Sequence, residues 1–161
     1  DDSGVEFPDN DERSIFYVRG VLETIKKLRW IPDVIDCHGW MTALTGLYIK
    51  TAYADDPCFK NSKVVYSLYN DDFKQSFNGN FVDKLKFDGI SEKSLEGLNN
   101  SVDYETLSNF AIKYADGVIQ SEATINQNVL DFAGKSGKNF LSYQGNVEES
   151  VDAINNFYEN L

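Results

Sequence analysis

Groups that could do chemistry are concentrated in one short run, Asp36-Cys37-His38-Gly39-Trp40, which holds the only histidine of the 161 residues. Val34 and Ile35 are β-branched and suit a pleated surface, so Val34 to Cys37 reads as a short strand. Pro32 fixes the entry to it, and His38-Gly39 reads as a tight turn before a helix that begins near Trp40. Asp36 and His38 therefore fall where a parallel strand ends, and in open α/β sheets that carboxyl edge is where ligands bind. If the chain binds a sugar or nucleotide, His38 is the first candidate. A buried, unpaired carboxylate at Asp36 would be costly, so it should find an amide or a cation. Trp40 could stack on a sugar ring or pack into the core. Asn70 follows a second strand, Val64 to Leu68, and Ser121 closes a third; both could bind ligand hydroxyls, and Ser121 could equally cap a helix. The candidate binding residues are thus His38, Trp40, Asn70 and Ser121, with His38 the candidate catalytic group.

The elements that must position these groups alternate along the chain. After a polar lead-in, Asp9-Asn10-Asp11-Glu12 offers an N-cap with a Glu three residues on. Ile15, Val18, Leu22, Ile25 and Leu28 then recur at helical steps as one apolar stripe. Trp40, Ala43, Leu44, Leu47 and Tyr48 share a face of the next helix. Residues 71 to 100 are polar, yet they carry Phe73, Phe77, Phe81, Leu85, Phe87 and Ile90. That many large apolar side chains need burial, so the stretch reads as a long excursion with short helical pieces. A helix from about Tyr104 to Tyr114 precedes the strand Val118-Ile119-Gln120. Another helix carries Ile125, Val129, Phe132 and Ala133 and stops at Gly134. A fourth strand spans Asn139 to Tyr143. Asn146 with Glu149 forms a capping pattern, and Val147, Val151, Ile154, Tyr158 and Leu161 mark a last helix. This order predicts an α/β class, a Rossmann-like three-layer sandwich with a mostly parallel sheet and strands near 33–37, 64–68, 117–121 and 139–143.

Composition narrows the function classes. Residues 1–161 suffice for a single α/β domain with its own core. A net charge of -11, from 26 acidic and 15 basic residues, argues against nucleic acid and anionic membranes, which need a basic footprint. No run approaches the ~18 apolar residues of a membrane span. Cys37 and Cys58 form no framework, and one histidine without a C-x-x-C makes a zinc site unexpected. The expected setting is cytoplasmic, with both thiols reduced.

The run from Trp30 resembles the W-x-P-D-[VI]-[IV]-H-x-H-D-W-H-[TA]-A-L segment of glycogen and starch synthases. Trp30, Pro32, Asp33, Val34, Ile35, Cys37, His38, Trp40, Thr42, Ala43 and Leu44 match; Asp36, Gly39 and Met41 depart from it. Asn10-Asp11-Glu12-Arg13 with Phe16, Arg19 and Val21-Leu22-Glu23 resembles the family's NDERF helix. Leu47 to Lys50, Asp56 to Phe59, Lys63 to Tyr66 and Ala111 to Ile119 continue the match in order, over roughly positions 9 to 122. The resemblance implies the N-terminal domain of a GT-B glycosyltransferase that moves glucose from ADP-glucose to an α-1,4-glucan, with no metal or other cofactor. It implies that His38 is a cleft residue near the transferred glucose, and that residues 71 to 100 help shape the acceptor side.

The family's Lys-x-Gly-Gly loop and the cations of its second half have no counterpart in these 161 residues. The chain alone is therefore not expected to transfer glucose. A rival reading is a non-catalytic module that binds glucan or a partner protein. A receiver-like domain with Asp36 as phosphoacceptor would need an acidic cluster and a strand-end Lys, and the latter is not evident. In the resembled fold the Val34-Ile35 strand is central. Here its outer edge has no partner in sequence, so it should be covered by a missing segment, a second copy or the chain's own C-terminal segment.

Overall fold

A computed structural model describes residues 6–77, 79–86, 89–98, 101–145 and 147–161. Four strands form one all-parallel sheet in the order β1-β2-β3-β4: β1 Val34–His38, β2 Lys63–Leu68, β3 Gly117–Gln120 and β4 Asn139–Leu141. Each lies within a few residues of its expected place, and each pair is joined by a connection that contains a helix, as parallel pairing demands. The helices are α1 Asn10–Lys27, α2 Thr45–Lys50, α3 Phe81–Leu85, α4 Tyr104–Tyr114, α5 Gln127–Lys135 and α6 Val147–Glu159.

Strand side chains alternate between two faces, and the faces differ in character. Ile35 and Cys37 of β1, Val64, Tyr66 and Leu68 of β2 and Val118 of β3 turn to the main core. There they meet Ile15, Val18, Leu22 and Ile25 of α1, Leu47 and Tyr48 of α2, and Leu107 and Phe110 of α4. The opposite face carries Asp36, Val65, Ser67, Gly117 and Ile119 and is covered by α6. At Gly117 the approach is close: a Cβ there would sit 2.6 Å from Cζ of Phe157 and 2.7 Å from Cδ2 of Leu161.

Several local expectations need correction. Asp9 precedes α1 but makes no side-chain cap; its carboxylate takes Nε of Arg13 at 2.8 Å. Leu28 is exposed because the helix ends before it. The segment from Trp40 is first a short 3-10 turn, Trp40–Thr42, and becomes α-helical only at Thr45. Ser121 caps nothing, since α5 starts six residues later behind Asn126, whose side chain accepts from the N–H groups of Asn128 and Val129. Gly134 lies inside α5, which runs to Lys135, and the positive φ falls at Gly137. Phe132 and Val151 are exposed; α6 packs through Phe157 and the expected Tyr158, and the expected Leu161, just beyond the helix, reaches the sheet at Gly117. Phe87 and the Asn146–Glu149 capping pattern lie outside the described residues.

The excursion between β2 and α4 is held as expected by its aromatic groups. Phe73 and Phe77 stack at 4.7 Å, Phe81 meets Phe77 edge-on, and Trp40 packs edge-on against both Phe73 and Phe77. Nζ of Lys84 on α3 reaches Oδ2 of Asp11 at 2.6 Å, tying the excursion to α1 at a carboxylate only 2% exposed.

Gly39 makes the turn after β1 with φ 71° and ψ 175°, a region essentially reserved for glycine. A Cβ there would also fall 2.3 Å from Oδ2 of Asp71, a carboxylate already held by the Trp40 N–H and the Tyr104 hydroxyl. Gly39→Ala is expected to lower unfolding free energy by ~1–3 kcal/mol, read by urea denaturation; an unchanged midpoint would refute this account of the turn.

Candidate functional site

Where the strands end, β1, β2 and β3 together with the turn after β4 and one side of α6 enclose a cavity of about 380 Å³. The carboxylate of Asp36 stands in its lining. Ser67, one strand over on the same face, donates to Oδ1 at 2.7 Å, and the Tyr158 hydroxyl donates to Oδ2 at 2.5 Å. His38 Nε2 lies 3.3 Å from Oδ2. The other ring nitrogen, Nδ1, is 2.7 Å from the Tyr69 hydroxyl. Two residues apart on extended backbone, Asp36 and His38 project to one side, which is why the pair can form.

The electrostatics follow from these contacts. Burial works to raise the Asp36 pKa, but hydrogen bonds from His38, Tyr158 and Ser67 outweigh it, and the carboxyl ends below its ordinary value of 3.8. The same hydrogen bond raises His38 above 6.5, against a smaller desolvation effect. Tyr158 is raised by burial and by the neighbouring carboxylate, so it stays a neutral donor. An imidazolium at His38 can then donate from Nε2 to Asp36 and from Nδ1 to Tyr69. In the neutral form Nδ1 instead accepts from the Tyr69 hydroxyl.

Of the residues singled out from sequence, the structure brings His38 and Ser121 to this cavity. Ser121 is tied to β2 through its N–H, which donates to the Leu68 carbonyl. Asn70 is exposed beside the site, with its N–H on Glu122. Trp40 is not in the lining: it is half-buried in the aromatic cluster of the excursion. Asp36 finds hydroxyl and imidazole partners rather than an amide. Tyr69, Gln120, Tyr143 and Tyr158 also stand in the lining and were missed as site residues. Ser67 and Tyr158 had periodic signals only, Ser67 two positions from Val65 on an alternating strand and Tyr158 on the apolar stripe of the last helix, 122 residues from Asp36 along the chain. Among the described residues no His, Cys, Asp and Glu cluster could hold a metal ion. Cys37 and Cys58 are both free, and burial pushes the Cys37 thiol up to about 12. No described helix is long and apolar enough to cross a membrane.

Comparisons with known proteins bear on this geometry. The family model of the starch synthase catalytic domain matches residues 1–143, so α6 lies beyond the matched part. A glycogen synthase of Clostridium perfringens is 31% identical over 118 residues, 73% of this chain and 22% of that protein. One of Thermodesulfovibrio yellowstonii is 39% identical over 88 residues, 55% of this chain and 17% of that protein. The chain thus spans about a fifth of the length of these relatives. Among solved structures, the catalytic domain of starch synthase IV from Arabidopsis thaliana, bound to ADP and acarbose, superposes with a TM-score of 0.66. That match covers 86% of this chain and 30% of that one at 17% identity, a likeness of fold.

The Asp36–His38 pair sets a pH window. A depressed carboxylate pKa stabilises the fold above 3.8 and is lost as pH falls through the lowered value. A raised His pKa stabilises below 6.5 and is lost as pH rises through the raised value. Both contributions are complete only between these two limits. His38→Gln should therefore lower the melting temperature more at pH 5 than at pH 8.5. Equal losses at both would mean that the pair carries no charge.

Proposed function

Because the chain belongs to the starch synthase catalytic domain family, we propose that it forms the glucan-side portion of an enzyme moving glucose from ADP-glucose to an α-1,4-glucan. The observation that carries this reading is the character of the cavity lining. It offers hydroxyls, amides and aromatic edges from Ser121, Gln120, Gln144, Tyr69, Tyr143 and Tyr158, and no Lys or Arg among the described residues that line it. Neutral sugar hydroxyls are met by such groups. A diphosphate requires preorganised cations or N–H donors, and a chain of net charge -11 adds an unfavourable field for it. In this proposal His38 is the group presented to the sugar, held in place by Asp36 and Tyr69, and Ser121 hydrogen-bonds a ligand hydroxyl. Asn70 serves the rim, and Trp40 acts indirectly, by packing the excursion beside the site. ADP-glucose is bound chiefly by cations elsewhere in the enzyme, as the resemblance implies.

NMR titration tests this. Maltoheptaose should shift His38, Tyr69 and Ser121 before other residues, and His38→Ala should weaken binding about tenfold, ~1.4 kcal/mol. ADP-glucose at the same concentration should leave the cavity unshifted. A cavity that responds to ADP-glucose and not to maltoheptaose would reverse the assignment.

A further inference from the structure

Both ring nitrogens of His38 are already engaged. Nε2 faces Asp36 at 3.3 Å, and Nδ1 faces the Tyr69 hydroxyl at 2.7 Å. What His38 does to a ligand in the cavity therefore passes through a neighbour. Three hydroxyls border the Asp36–His38 pair, and their protons are differently committed. Ser67 gives its proton to Oδ1 of Asp36 at 2.7 Å, and Tyr158 gives its own to Oδ2 at 2.5 Å. Each can then offer a ligand only a lone pair. Tyr69 is the exception, because its partner is an imidazole with two protonation states. With His38 charged, Nδ1 donates to the Tyr69 oxygen, and the phenolic proton is left for the cavity that Tyr69 lines. With His38 neutral and its proton kept on Nε2 by Asp36, Nδ1 accepts the phenolic proton and none is left.

We propose that Tyr69 is the specificity-determining residue of this site, its hydroxyl donating to a ring or glycosidic oxygen of the glucan, with Asp36 and His38 as the residues that position the proton. This rests on the glucan reading above and names the atom that meets the sugar. Sugar hydroxyls both donate and accept, so the lone pairs of Ser67 and Tyr158 suit them. An ether oxygen only accepts, and it needs a donor. Register fixes the arrangement: Ser67 pairs with His38 across β1 and β2, and Tyr69 follows two positions on, so Asp36, His38, Ser67 and Tyr69 share one face. Two parts depart from the resembled pattern. Asp36 stands where that segment has His, and Tyr158 lies beyond residues 1–143 that the family model matches. The titratable groups around His38 are Asp36 of β1, Tyr69 after β2 and, on the shared Oδ2, Tyr158 of α6. No Lys or Arg is among the described residues that line the cavity. Asp36 raises His38 above its ordinary value of 6.5, so the donating state of Tyr69 extends toward neutral pH.

The test is the pH profile of maltoheptaose binding to the 161-residue chain, followed by titration calorimetry. As pH rises from 6 to 9 the dissociation constant should increase about fivefold, the contribution of one neutral hydrogen bond. The midpoint should coincide with the titration of His38, the only histidine, read from its own NMR signals. Tyr69→Phe should bind about fivefold more weakly at pH 6 and show no step, with an unchanged circular dichroism spectrum. A step that survives in Tyr69→Phe would overturn the assignment of Tyr69 and leave the glucan reading standing. Absence of maltoheptaose binding at both ends of the range would overturn the glucan reading and this assignment with it. The ligand-free chain supplies an independent check. Nitrogen shifts should place the proton of neutral His38 on Nε2, and a proton on Nδ1 would refute the relay whatever sugar binds.

Discussion

A carboxylate set into the face of a parallel sheet must be satisfied where it stands, and Asp36 imposes that requirement here. It is only 15% exposed at its side chain, and leaving such a charge without partners costs several kcal/mol. Ser67 supplies one donor from the neighbouring strand and Tyr158 another from the last helix. With both oxygens occupied, the carboxylate has a fixed direction, and His38 takes its orientation from it and from Tyr69. The imidazole is therefore held from two sides while more than half of it remains open to solvent.

The same requirement explains the packing of α6. A tyrosine can reach Asp36 only if its helix lies close on the sheet, and the sheet permits that at Gly117, where Phe157 and Leu161 occupy the space of a side chain. The helix thereby shields the face of Val65, Ser67 and Ile119, all nearly inaccessible, and supplies one wall of the cavity. Structure and binding surface are coupled at this point. Loosening α6 would free the carboxylate and open the cavity together.

On the other side of the turn, Asp71 stands where a side chain at position 39 would project. The resembled segment has an aspartate at that position; this chain has glycine, and the carboxylate of Asp71 approaches from the excursion to accept the Trp40 N–H. Burial raises the Asp71 pKa despite the hydrogen bonds from Trp40 and Tyr104. The aromatic stack of Phe73 and Phe77 follows at once, so the excursion is anchored within a few residues of leaving β2.

Local pattern alone determined the strands, their parallel sense and the apolar stripe of α1, because alternation and helical spacing are set by backbone geometry and solvent. Several collinear segments carried the family, and His38 was legible as a strand-end group. Where elements stop was less legible. Asp9 and Ser121 have the chemistry of caps, but hydrogen-bond partners that compete for such groups are chosen by tertiary neighbours: Arg13 takes the first, and the second belongs to a loop joined to β2. Trp40 is apolar enough for either a ligand or a core, and only the placement of Phe73 and Phe77 decided for the core. Tyr158 was legible as part of the last helix's apolar stripe, but nothing local marked it for the site, since that role depends on a contact with Asp36 closed over 122 residues. A helix repeat records that a residue faces inward; which buried charge it meets there is decided only when the whole chain has folded.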